Sequence, residues 1–223
     1  MKTQLLDYLS GHLTENRNAL FDKVLKDRTR YLTVVLEDIY QSHNASAVLR
    51  SCDCFGIQDI HIIENRNKYT VNRDVALGSA KWLSLKKYNQ NENNSQEALQ
   101  KLKKQGYRIV ATTPHSSDVE LYDFDVTKGK TALVFGTELT GVSELVKQEA
   151  DEFLRIPMYG FTESFNISVS AALVLQHLAH EIRKRNVNWQ LSKQEMEDVK
   201  LQWIKASVKS SDLIEREYYN KYK

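Results

Sequence analysis

The chain has 223 residues, 41% of them apolar and 27% charged, with a formal net charge of +2. This is the composition expected of a globular domain with one good core and some appendages, and not of a disordered or fibrous chain. No apolar run is long enough to span a bilayer, and polar residues interrupt Met1 to Thr14 too often for a signal peptide, so a cytoplasmic location is expected.

The charge is unevenly spread. Residues 1–31 carry net +2 and residues 183–223 net +4, leaving the middle at −4. Basic ends suit phosphate contact, although solvated helix faces have the same look. Cys52 and Cys54 are one residue apart with no second pair. They read as two small semi-buried hydrophobes in a reducing compartment, not as half of a zinc site.

In chain order, Leu5, Leu6, Leu9 and Leu13 share one face of a first helix. Thr33 to Leu36 is a β-branched strand, followed by a helix with Asn44 as its N-cap and Gly56 as its stop. Ile57 to Ile63 is a strand, and Trp82 to Tyr88 a short one. A polar loop over 89–95 leads to Ser95, which caps a helix over Gln96 to Gln105, and Gly106 ends it. Tyr107–Thr112 and Thr131–Phe135 are strands, Ser143–Ala150 a short helix, Phe153–Ile156 a strand and Asn166–Arg185 a long helix. A final helix starts near Ser192, with Trp203 and Ile204 in its apolar stripe. Strands alternating with helices predict a mainly parallel sheet covered on both faces.

Three polar constellations interrupt this pattern. The first is Asn44-x5-Arg50-x5-Gly56, with an arginine inside an apolar helix that needs a carboxylate, phosphate or carbonyl partner. Glu37 or Asp53 would serve for an internal salt bridge, with Asn44 at the mouth and Arg50 projecting deeper. The second is Phe135-Gly136-x-Glu138-x-x-Gly141 after a strand. It is neither a P-loop nor a dinucleotide fingerprint. Gly136 would let a ligand approach the backbone, and Glu138 could cap the next helix. The third is Ile156-Pro157-Met158-x-Gly160-x5-Asn166-x-Ser168, where Asn166 is placed to cap the long helix and Ser164 adds a hydroxyl. His177, His180 and Glu181 read as solvated side chains and not a metal cluster. His115 has no assigned role.

In order and spacing, these three segments resemble the signature motifs of the SpoU/TrmH branch of the SPOUT methyltransferases, over roughly residues 28–185. The run Leu32 to Asp38 and Gly78-Ser79-x-Lys81-Trp82 look most like the subgroup that methylates the ribose of guanosine 18 in the tRNA D-loop. The resemblance implies an α/β methyltransferase core at residues 32–185 with a C-terminal deep trefoil knot, and helical extensions at 1–31 and 186–223. It also implies S-adenosylmethionine as cofactor, tRNA as partner, a homodimer and no metal. A different tRNA position, a ribosomal RNA acceptor and a non-catalytic RNA-binding role stay open.

By motif position the resemblance implies cofactor contact by Thr113, Gly136, Ile156, Met158 and Phe165. It implies a catalytic centre at Arg50, surrounded by Asn44, Glu138, Ser164 and Asn166. An arginine stays protonated in nearly any site. Arg50 is therefore expected to hold a phosphate beside the target ribose and lower the 2′-hydroxyl pKa electrostatically. Lys23, Lys26, Arg28, Arg30, Arg183, Lys184 and Arg185 are expected to contact the tRNA backbone.

Overall fold

The structure is a computed structural model that describes residues 2–70, 72–114 and 118–222. Its elements run α1 (Lys2–Ser10), α2 (Glu15–Leu25), β1 (Leu32–Glu37), α3 (Ser42–Cys54), β2 (Asp59–Ile63), the single turn α4 (Arg73–Ala76) and β3 (Ser84–Tyr88). There follow α5 (Asn94–Lys104), β4 (Arg108–Thr112), β5 (Val119–Glu120), β6 (Thr131–Phe135), α6 (Glu144–Glu149), β7 (Glu152–Arg155), α7 (Ile167–Lys184), α8 (Lys193–Ser207) and α9 (Ser211–Tyr222). His115 lies outside the described residues.

The chain divides into two compact units, one of residues 29–189 and one that joins 1–28 to 190–223. In the larger unit seven parallel strands are ordered β3-β2-β1-β6-β4-β7-β5. Alternation along the central strands supplies both layers of core. Leu32, Val34 and Leu36 of β1 and Leu133 and Phe135 of β6 face α3 and α7, meeting Val48, Leu49, Cys52, Val174, Leu175 and Leu178. Val35, Ala132 and Val134 face the other way, toward Ala98, Leu99 and Leu102 of α5 and Val146 of α6. Cys52 is buried and Cys54 exposed.

The register fixes where function can sit. Leu36 pairs with Phe135, Ala111 with Val134, and Thr112 with Leu154. The carboxyl ends of β1, β6, β4 and β7 therefore finish side by side, at the edge where open parallel sheets hold ligands. The three motif loops leave from this edge or return to it.

Two expected caps are corrected. Gln41, not Asn44, occupies the N-cap position of α3, and Asn44 lies in the first turn with its side chain turned to other partners. Asn93 caps α5 by accepting from the Gln96 amide, because Ser95 is engaged with Glu37. Gly56 and Gly106 end their helices with φ of 78° and 80°, a conformation that glycine adopts without steric cost.

In the smaller unit Leu5, Leu6, Leu9, Phe21, Leu25, Val199, Trp203, Ile204 and Tyr218 are buried. Leu13 is only half-buried. Phe21 meets Trp203 edge-on at 5.5 Å between centroids. Ser192 begins α8 with a capping box closed by Glu195, which satisfies two helix-end donors reciprocally.

Candidate active site

Glu37, at the carboxyl end of β1, is the buried anchor of the site. It is 2% exposed, and its carboxylate accepts from the Ser95 hydroxyl at 2.5 Å and from the Ser143 hydroxyl and amide, both at 2.8 Å. Three donors around a buried carboxylate offset the cost of removing it from water. They tie the starts of α5 and α6 to the end of β1. Glu37 is therefore not the partner of Arg50 that the sequence allowed. A carboxylate closing a fully buried strand was the signal for this role.

Ser143 also caps α6, leaving Glu138 for other work. The turn between them depends on Gly136. A Cβ there would lie 2.1 Å from the Gly141 carbonyl oxygen, far inside van der Waals contact. The backbone that approaches Gly136 is the chain's own, where the sequence suggested a ligand. Thr137 and Gly141 exchange backbone hydrogen bonds at 2.9 and 3.0 Å, and Gly141 has φ 68°. Glycine at both positions closes the turn and presents Glu138 outward.

At Glu138 the three motifs meet. Its Oε1 accepts from the Asn44 amide at 2.7 Å and from the Asn166 amide at 2.8 Å. Asn166 Nδ2 also reaches Asn44 Oδ1 at 3.2 Å. Asn166 keeps its capping role as well, its Oδ1 accepting from the Ser168 amide at 2.9 Å and hydroxyl at 2.6 Å. Both faces of the Asn166 amide are thus used, one for α7 and one for Glu138.

On one side of the glycine turn lies a cleft of about 360 Å³, within the usual range for small-molecule sites. It takes in Thr113, Gly136, Ile156, Met158, Ser164 and Phe165 from the expected set. Leu154 and Val174 add apolar wall, and Thr113 donates its hydroxyl to Asp118. A second, wider groove of about 1310 Å³ lies across the same turn. Asn44, Glu138 and Ser143 border it, with Tyr40, 79% exposed, at its rim. Glu138 lines both spaces.

Arg50 stands apart. Six residues along an α-helix turn the side chain well away from Asn44 and raise it about 9 Å. It is exposed, borders neither space, and makes no hydrogen bond or ion pair with a described residue. The expectation that it projects deeper than Asn44 is corrected: Asn44 is buried and Arg50 exposed.

Residues 31–176 match the model of the SpoU rRNA Methylase family. The chain belongs to this family. It is 44% identical over 207 residues to the tRNA (guanosine(18)-2'-O)-methyltransferase of Borreliella burgdorferi, covering 93% of each chain. The crystal structure of the Aquifex aeolicus TrmH/SpoU tRNA modifying enzyme superposes with a TM-score of 0.75 at 30% identity, over 88% of this chain and 98% of that one. The SpoU methyltransferase AviRb from Streptomyces viridochromogenes, determined with AdoMet, shares the fold at 21% identity and a TM-score of 0.61, over 74% of this chain and 65% of that one.

The basic residues of this SpoU chain fall into distinct groups. Lys23, Lys26, Lys184 and Arg185 are exposed, the last paired with Glu181. Arg30 is bound to Asp59 at 3.1 Å. Arg183 lies over Trp189 at 4.7 Å and donates to two backbone carbonyls. Arg28 is 2% exposed and stacks on Trp203 at 5.2 Å. Its expected phosphate contact is corrected, because burial leaves the guanidinium no face for tRNA. Among the described residues no group of three His, Cys, Asp or Glu side chains is placed to hold a metal ion, and no helix is long and apolar enough to cross a membrane.

Proposed function

We propose that this SpoU chain transfers a methyl group from S-adenosylmethionine to a ribose 2′-hydroxyl of tRNA, at guanosine 18 of the D-loop, in the cytoplasm. The observation that carries the proposal is the junction at Glu138. Three motifs far apart in sequence converge there on one carboxylate, between a small apolar-walled cleft and a wider polar groove. The likeness to the Borreliella and Aquifex proteins over most of both chains supports the choice of tRNA and of position 18.

The smaller cleft fits the cofactor on its own residues. Ile156, Met158, Leu154 and Val174 give apolar contact for a purine, and the Thr137–Gly141 bridge fixes the turn that borders the cleft. When bound, S-adenosylmethionine supplies a methyl group already activated by its sulfonium, which makes positioning the main task of the protein. The acceptor nucleotide occupies the groove across the turn. Asn44 and Asn166 hold Glu138 by one oxygen, leaving its Oε2 open to the 2′-hydroxyl proton.

Arg50 has the part of a phosphate-binding cation that favours the ionised 2′-oxygen. Its place outside both spaces of its own chain supports a homodimer in which it serves the partner's site. Val169 and Leu173 of α7, 44% and 41% exposed and four residues apart, offer an apolar face for that contact. On this reading residues 32–185 are the catalytic core with its trefoil knot. The extension 1–31 adds tRNA contacts through Lys23 and Lys26, and Lys184 and Arg185 add them at the end of α7.

The test is transfer of labelled methyl from S-adenosylmethionine to an unmodified tRNA transcript, followed by mapping of the product. Label at the ribose of guanosine 18, lost when that guanosine is replaced, is the expected result. Label in ribosomal RNA alone, or at another tRNA position, would overturn the choice of acceptor.

A further inference from the structure

Among the described residues, three charged side chains line the smaller cleft: Glu138, Lys147 and Glu163. Glu138 is engaged by two asparagine amides. Lys147, on α6, is the one cation among the described lining residues. It pairs with Glu144 at 2.7 Å, but that carboxylate is 79% exposed. Exposed pairs of this kind contribute little, so the ammonium is free to change partners. Glu163, in the loop between β7 and α7, is exposed and makes no hydrogen bond or ion pair with a described residue.

We infer that Lys147 and Glu163 bind the two charged ends of the cofactor's amino-acid portion, Lys147 its α-carboxylate and Glu163 its α-ammonium. This rests on the cofactor reading of the cleft. The apolar lining residues Leu154, Ile156, Met158 and Val174 suit the purine, and the charged lining residues remain for the zwitterion. A carboxylate entering a cleft that already holds Glu138 and Glu163 needs a cation, and Lys147 is the cation among the described lining residues. An ammonium needs a carboxylate not already committed, and Glu163 is that carboxylate. Binding exchanges the Glu144 pair of Lys147 for a pair with the ligand.

Calorimetric titration of the full chain tests both contacts without reference to turnover. Three ligands are used: S-adenosylmethionine, its decarboxylated analogue, which lacks the α-carboxylate, and 5′-methylthioadenosine, which lacks the whole amino-acid portion. Lys147→Gln should weaken S-adenosylmethionine binding about three- to tenfold and leave the other two unchanged. Glu163→Gln should weaken S-adenosylmethionine and the decarboxylated analogue by a similar factor and leave methylthioadenosine unchanged. Unchanged affinity for S-adenosylmethionine in either variant overturns that residue's part. Equal weakening of all three ligands also overturns it, since that is the mark of a deformed cleft. Wild-type protein that binds methylthioadenosine but gains nothing from the amino-acid portion sinks the inference and leaves the cofactor reading standing. Wild-type protein that binds none of the three removes both.

Discussion

At the scale of single residues, Asn44, Glu138 and Asn166 each make more than one contact, and the contacts can be separated. Asn166 gives its oxygen to the start of α7 and its amide hydrogens to Glu138 and Asn44. Asn166→Asp keeps an oxygen at the cap, where aspartate serves as well as asparagine. It removes both donors and sets a second carboxylate against Glu138. Thermal stability should therefore change by less than about 1 kcal/mol, while methyl transfer falls on the order of 100-fold. A large drop in melting temperature with matching loss of activity would mean that Asn166 is only a cap. Gly136 answers to sterics alone. Gly136→Ala puts a methyl group 2.1 Å from a carbonyl oxygen, and the turn must open to admit it. We expect a loss of about 1–3 kcal/mol in denaturant unfolding, together with loss of S-adenosylmethionine binding. A variant that binds the cofactor normally would show that the turn is not part of the cleft's frame.

At the scale of elements, the β2–β3 edge carries a pH dependence remote from the site. His61 of β2 is 1% exposed, bonded through Nδ1 to the Tyr88 hydroxyl at 2.8 Å, with Nε2 unpartnered. Burial, reinforced by the nearby Lys86 charge and opposed by Asp59, pushes its pKa down to about 4. The unfolded chain therefore binds a proton near pH 6.5 that the folded chain refuses until about pH 4. Stability from this group is complete above pH 6.5 and is lost as pH falls, by roughly 3 kcal/mol at pH 4. Urea unfolding of wild type and His61→Gln from pH 7.5 to 4 should show the wild type losing that much more. Parallel curves would rule out His61 as the source. Elements of this kind were partly legible in the sequence. Thr131–Phe135 was readable to its ends because both faces of β6 are buried and a helix-breaking glycine follows. Asn44 and Ser95 do not cap their helices because local capping competes with long-range partners. Asn44 meets Glu138 94 residues away, and Ser95 meets Glu37 58 residues away. Local sequence carries no trace of either partner. The three-motif site was readable through spacing and family likeness, but its geometry was not. Only the parallel register places Phe135 and Leu36 side by side and so brings Glu138 to Asn44.

At the scale of the whole molecule, Arg50 stands outside both spaces of its own chain. Glu138, Asn44 and Asn166 are assembled within the larger unit, while Arg50, six residues beyond Asn44, borders neither the cleft nor the groove. A two-fold dimer repeats any contact it makes, so an arginine that reaches the partner's groove is matched by the partner's arginine in return. This arrangement predicts complementation between two inactive variants. Arg50→Ala has an intact junction and lacks the cation, and Asn166→Ala has the cation and lacks the junction. In the mixed dimer the Arg50→Ala chain receives an arginine from its partner, making one complete site of two. Random pairing of equal amounts puts half of all chains in mixed dimers. Co-expression with separate tags should then restore about a quarter of wild-type activity in the unfractionated mixture. Dimers carrying both tags should run at about half the wild-type rate. If Arg50 acts within its own chain, neither site of the mixed dimer is complete and activity stays at the level of the single variants. Restored activity would place the arginine across the interface, and its absence would return Arg50 to a role on its own helix.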